Sequence, residues 1–174
     1  MTAAEAYDLT TRGGATDFEE VIAACEVLGP YCLIGGLAVN CFVEPVYTLD
    51  ADLVVVADNL EPLSKLLEQR GFKIESHPHS VNATPSNSDI RIQFTTDSRY
   101  QTFPLRAETR NVFGIPVRVA CLRDVTQGKL WAYSDPSRRL SKRKKDELDL
   151  IRLAEAYPEL VSLYPEKLRD LLHE

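Results

Sequence analysis

Two aspartates, Asp50 and Asp52, stand one residue apart inside the otherwise apolar run "YTLDADLVVVA". An ionised carboxylate in apolar surroundings is costly unless it is paired, hydrogen-bonded or bound to a cation, so acids placed here need partners. In an extended strand, residues two apart share a face and lie about 6.6 Å apart. Leu49, Ala51 and Leu53 then take the opposite face. Two carboxylates converging in this way can hold one or two hard divalent cations such as Mg²⁺, which choose oxygen ligands and commonly share them with substrate phosphates. A pair of such ions stabilises both the attacking and the leaving oxygen of a phosphoryl displacement. Upstream, Gly35 and Gly36 interrupt "YCLIGGLAVN". Glycines at a strand-to-helix turn let the backbone approach a ligand and leave N–H groups free for an anion, although tight turn geometry alone also selects them.

These residues need elements to hold them. "YCLI" reads as a buried strand, Gly35-Gly36 as a tight turn, and "LAVNCFVE" as a short helix stopped by Pro45; residues 47–57 form the aspartate strand. Before them, residues 17–28 carry an N-cap, acids in the first turn and apolar residues at helical spacing, ending at Gly29-Pro30. After them comes a helix over residues 59–71 with Pro62 in its first turn. "FKIESH" and "SDIRIQFTT" read as strands separated by the loop "PHSVNATPSN", and "GIPVRVACL" alternates as a strand does. From Asp124 onward the chain reads as helices over residues 124–133, 142–157 and 165–174. The expected fold is α+β: a mixed sheet with helices packed on it, in one domain over residues 1–174, with a core over about 17–122 and a C-terminal helical segment over about 124–173.

Composition sets outer bounds. The 174 residues, 44% hydrophobic, suffice to bury a core without disulfides or metals. Cys25, Cys32, Cys41 and Cys121 show no CxxC spacing and read as reduced and structural. No apolar run approaches the length of a membrane span and no targeting segment is evident, which predicts a cytoplasmic protein. The net charge of −6 argues against a whole-surface nucleic-acid binder, but Arg138 to Lys145 holds six of the twenty basic residues and leaves room for a local basic patch.

The order "LIGGLAVN" then "TLDADLVV" resembles the glycine-pair and acid-x-acid signature of the nucleotidyltransferase superfamily, the polymerase-beta-like fold. Within it the chain looks most like the AbiEii and type IV toxin group of small bacterial nucleotidyltransferases. "DVTQGKLWAY" is similar to that group's lysine-bearing helix, with Lys129 at the lysine, and "RKKDELDLIRL" to a later helix, with Arg143, Lys145, Asp146 and Asp149 at the matching positions. The resemblance implies a mixed nucleotidyltransferase-like sheet and transfer of a nucleoside monophosphate from a nucleoside triphosphate to a hydroxyl of RNA, protein or a small molecule. It implies Asp50 and Asp52 as Mg²⁺ ligands, Gly35 and Gly36 as triphosphate contacts, Lys129 as a catalytic and phosphate contact, Lys145 as a further nucleotide contact, and a cognate partner protein of the toxin–antitoxin kind.

One position departs from that pattern. The superfamily's third carboxylate aligns with Gln93 in "IRIQFTT". Glutamine offers a neutral oxygen and cannot serve as a general base. Asp89 and Asp97 each lie four residues away, about 13 Å along a strand, too far to substitute. A second expectation therefore stands beside the enzyme: a binding module of the same fold with impaired chemistry. His77 and His79 read as surface residues, and Trp131 and Tyr133 as core or cleft residues with base stacking as the alternative; for Lys142–Asp146 and Lys145–Asp149, i,i+4 pairing on a solvated helix is the alternative to the family match, but in the less favourable Lys-first order.

Overall fold

A computed structural model describes residues 1–174. Seven strands, β1 (Tyr31–Ile34), β2 (Asp50–Val55), β3 (Lys73–His77), β4 (Ser80–Thr84), β5 (Arg91–Thr95), β6 (Glu108–Val112) and β7 (Ile115–Val119), form one mixed sheet in the order β3-β4-β5-β2-β1-β7-β6. β2 runs antiparallel to β1 and parallel to β5, and β1 runs parallel to β7. All four residues of β1 are buried, as a central strand covered on both faces requires. In β2, Ala51 and Leu53 are buried while Asp50 and Asp52 are partly exposed on the other face. The period-two reading of that strand holds, although the strand starts at Asp50 rather than Tyr47.

Seven α-helices surround the sheet: α1 (Ala3–Thr11), α2 (Gly14–Leu28), α3 (Gly35–Val39), α4 (Ala57–Gln69), α5 (Leu122–Ser134), α6 (Leu140–Ala156) and α7 (Glu166–Leu171). α2 packs on α4, and α4 on β3; α5 and α6 pack on each other and on α3. Leu150 and Leu153 of α6 and Leu168 of α7 are fully buried. Burial of such side chains stabilises by roughly 1.5–3 kcal/mol each and anchors the C-terminal helices. One hydrophobic cluster of 40 residues runs from Tyr7 to Leu168, so the helical segment shares the core of the sheet.

Three expectations are corrected. The segment read as a loop, residues 78–87, contains β4: Val81 and Ala83 point into the core while Asn82 and Thr84 point out, an alternation masked by the flanking prolines. The helix expected over residues 37–44 begins at Gly35 and ends at Val39. α1 was not anticipated. A capping box starts it: the Glu5 N–H donates to Thr2 Oγ1 at 3.1 Å and the Thr2 N–H to Glu5 Oε2 at 2.7 Å. The helix matters to the site, because the buried Tyr7 stacks on Phe113 and its hydroxyl donates to the Thr48 carbonyl at 2.7 Å, pinning the chain two residues before Asp50.

Candidate active site

β2 brings its two acids to a cleft between the sheet and the helical pair α5–α6. The register sets Asp52 opposite Ile34 on one side and Gln93 on the other, and Asp50 opposite Arg91. A cavity of about 440 Å³ opens toward β4 and β5, and a smaller one of about 60 Å³ opens toward α3. Asp50, Asp52, Lys129, Arg138, Lys142 and Asp146 line both, so the two acids stand at the junction of the two spaces.

The acids have unlike environments. Asp50 is clamped: Arg91 Nε donates to Oδ1 at 2.7 Å and Lys142 Nζ to Oδ2 at 2.9 Å. Burial works against its charge, but Lys142 and Arg91 outweigh burial and hold the carboxyl below the usual range. Asp52 takes part in no hydrogen bond or ion pair with another side chain. Burial pushes its carboxyl up to about 6, against the pull of Lys129 and with added repulsion from Asp50. A recessed, unpartnered carboxylate next to a second one is an arrangement that a cation would relieve.

Gly35 is the other half of this geometry. Its φ of +72° lies in the left-handed region, and a Cβ built there would fall 2.4 Å from Asp52 Oδ2. No side chain fits between β1 and the acid. Gly36, by contrast, is an ordinary helical residue with Thr48 3.7 Å from the place of a Cβ. We expect Gly35→Ala to displace the Asp52 carboxylate and destabilise the fold by about 1–2 kcal/mol from the left-handed backbone alone. Gly36→Ala leaves stability within about 0.5 kcal/mol. Chemical denaturation of the two variants checks the contrast, and equal losses would contradict it.

Lys129 is buried, its side chain 10% exposed, with Nζ 3.1 Å from Asp146 Oδ1 and 2.8 Å from Asp149 Oδ2. Burial disfavours its charge, but Asp149 and Asp146 overcome burial and hold the ammonium above its usual range. Arg138 Nε reaches Asp146 Oδ2 at 2.7 Å, and Arg152 reaches Asp149 at 2.8 Å. The i,i+4 pairing expected on α6 is thus absent: Lys142 turns to Asp50, and Asp146 and Asp149 turn inward to Lys129. Tertiary partners win because they are buried, where each contact is stronger than between solvated side chains. Lys145 is exposed and lines the smaller cavity beside Gly36. The basic run is therefore largely a wall of the cleft, with Arg138, Lys142 and Arg143 engaged inward.

Gln93 occupies the place beside Asp52 and lines the larger cavity. Neither nearby acid replaces it, since Asp89 pairs with Arg12 and Asp97 with Arg99. Trp131 packs against the core, with Phe103 stacked on it at 5.9 Å and the Arg99 guanidinium 4.7 Å from its ring centroid. His77 sits 3.9 Å from Glu75 on the exposed β3 edge strand. The four cysteines are free. Sequence reasoning missed Asn82, Thr84, Thr95 and Arg138 as cavity residues and Lys142 as the partner of Asp50. For Asn82 and Thr84 the alternation within "SVNAT" was the available signal; for Lys142 there was none.

With this geometry in hand, the fold is that of the nucleotidyltransferases. The chain superposes on ANT(2'')-Ia in complex with adenylyl-2''-tobramycin with a TM-score of 0.57 at 20% identity, covering 91% of this chain and 94% of that one. It superposes on a nucleotidyltransferase-like antigenic protein of Paracoccidioides brasiliensis with a TM-score of 0.52 at 20% identity, covering 89% and 91%. For the lincosamide adenylyltransferase LnuA bound to lincomycin, the TM-score is 0.50 at 15% identity, covering 72% and 86%. No protein-family model matches the chain, and no curated protein matches it by sequence. No helix is long and apolar enough to cross a membrane.

Proposed function

We propose that this chain is a Mg²⁺-dependent nucleotidyltransferase that moves a nucleoside monophosphate from a nucleoside triphosphate to a hydroxyl. The observation that carries the reading is Asp52: an unpartnered carboxylate in a cavity, beside a second acid on the same strand face and against a glycine that cannot bear a side chain.

The donor set suits Mg²⁺. Asp52 has all its lone pairs free, Asp50 spends one oxygen on each cationic partner and keeps further lone pairs, and Gln93 adds a neutral oxygen at the register position beside Asp52. Bound there, Mg²⁺ would neutralise charge on the triphosphate and polarise the phosphorus under attack. Asp50 and Asp52 hold that charge in place. Gly36, Lys142 and Lys145 line the smaller cavity and Gly35 the larger, and together they position the β- and γ-phosphates. Lys129 and Arg138 set a positive background behind Asp52, and both are named among the groups that oppose the rise of its pKa. In the transfer, the acceptor oxygen bonds to the α-phosphorus. The bond from that phosphorus to the α–β bridging oxygen breaks, its electron pair leaves on pyrophosphate, and the hydroxyl proton passes to water.

A second reading rests on a specific observation, the neutral Gln93 where a proton acceptor would stand. In it the chain is a module that binds nucleotide or a cognate partner, as the AbiEii-like resemblance implies, without efficient transfer. Gln93→Glu is nearly isosteric and faces the cavity, so it tests both. General-base assistance is worth about 10²–10⁴-fold, and we expect Gln93→Glu to raise the rate of transfer by about 10²-fold. A wild-type chain that binds Mg²⁺-triphosphate by calorimetry and releases labelled pyrophosphate supports the enzyme. Binding with release only in the variant identifies the module.

A further inference from the structure

The larger cavity has two unlike sides. Toward α5 and α6 it is lined by Lys129, Arg138 and Lys142; its floor on β4 and β5 carries the uncharged Asn82, Thr84, Gln93 and Thr95, with Arg91, paired to Asp50, as its one charged residue. Strand alternation builds that floor. β4 buries Val81 and Ala83, β5 buries Ile92 and Phe94, and the intervening side chains turn to the cavity. The register places Asn82 beside Gln93 and Gln93 beside Asp52, so the floor leads directly to the two acids.

Two features say what the floor would take. Asn82 Oδ1 is buried and has no hydrogen-bond partner, and an amide oxygen only accepts, so it needs a donor such as a ligand hydroxyl. The carboxylates in the lining are Asp50, Asp52 and Asp146, against the cations Arg91, Lys129, Arg138 and Lys142. Asp50 and Asp146 are already ion-paired, and Asp52 belongs to the reacting centre. Nothing on the floor compensates an ammonium group, and desolvating one without a partner is costly. The volume of about 440 Å³ is that of a small-molecule site.

We infer that the acceptor of this transferase is a small, uncharged, polyhydroxylated molecule, seated on Asn82, Thr84, Gln93 and Thr95, and not a polyamine antibiotic or RNA. The inference rests on the transferase reading of the site and specifies its substrate class.

The test uses the full chain loaded with Mg²⁺ and a nonhydrolysable nucleoside triphosphate analogue. It is titrated calorimetrically with matched pairs of amino sugars and their N-acetylated forms, tobramycin and its N-acetylated form among them, and with a short RNA oligonucleotide. In each pair we expect the uncharged member to bind at least tenfold more tightly, and Asn82→Ala to weaken it tenfold. Thr84→Asp puts a carboxylate at an exposed floor position, where folding is not at stake, and reverses the preference toward the amine. Amines that bind the wild type as tightly as their acetylated forms, RNA that binds more tightly than either, or no binding by any of them overturns the inference while the transferase reading stands. A protein that fails to bind the triphosphate overturns both.

Discussion

On the proposed transferase reading, we expect Asp52→Asn to lower nucleotidyl transfer by on the order of 10³-fold and at the same time to stabilise the metal-free fold at neutral pH. The two effects share one cause. Asp52 is ionised at neutral pH in a recess where nothing pairs with it, which is what a cation ligand requires and what a stable core avoids. Its carboxyl is pushed up to about 6 by burial. The folded chain therefore holds that proton more tightly than the unfolded chain does. Stability from this group is fully present below the ordinary carboxyl pKa near 4 and is lost as pH rises through about 6, a penalty on the order of 3 kcal/mol at pH 7. Asparagine has no such titration. Thermal unfolding without divalent ions should show the variant gaining on the wild type between pH 4.5 and 7.5, and Mg²⁺ should raise the melting temperature of the wild type only. A variant that keeps full transfer activity, or that loses stability across that range, removes Asp52 from the role given to it here.

We expect Lys129→Met, a change of similar volume at a buried position, to cost about 3 kcal/mol of stability. The lysine is the shared partner of Asp146 and Asp149, and its removal leaves two recessed carboxylates on α6 facing a thioether-bearing chain. Arg138 still holds both oxygens of Asp146, and Arg152 holds one oxygen of Asp149, which keeps the loss below that of a fully orphaned pair. Adding Asp149→Asn to the lysine variant should recover at least about 1 kcal/mol, read as the coupling in a double-mutant cycle of urea unfolding. A loss under about 1 kcal/mol for Lys129→Met would mean that the α5–α6 network is decorative.

What could be read from the residues divides along physical lines. Period-two alternation is local, so the shared face of Asp50 and Asp52 was visible in "LDADL" and the structure keeps it. The place of Gln93 came from the family resemblance, and the register of β2 with β5 sets it beside Asp52. Partner choice is not local. Lys142 lies 92 positions from Asp50, and no spacing rule links them. Spacing on α6 allowed solvated i,i+4 pairs only in the less favourable Lys-first order, and these lost to buried tertiary contacts. β4 was hidden because Pro78, Pro85 and the asparagines announce a turn more loudly than Val81 and Ala83 announce a strand. α1 had a local signal, the Thr2–Glu5 capping box, that went unread; only its tie from Tyr7 to a loop 41 positions away lies beyond any spacing rule.

The pairing of β2 with β5 has an evolutionary consequence. Because Gln93 lies directly alongside Asp52 on a parallel neighbour, the amide differs from an acid by a single base in its codon and by almost no volume, with no backbone to rebuild. On the proposed reading, a lineage carrying this scaffold switches its chemistry by one mutation while the fold stays as it is. Dormant and working descendants would then be nearly indistinguishable in overall sequence.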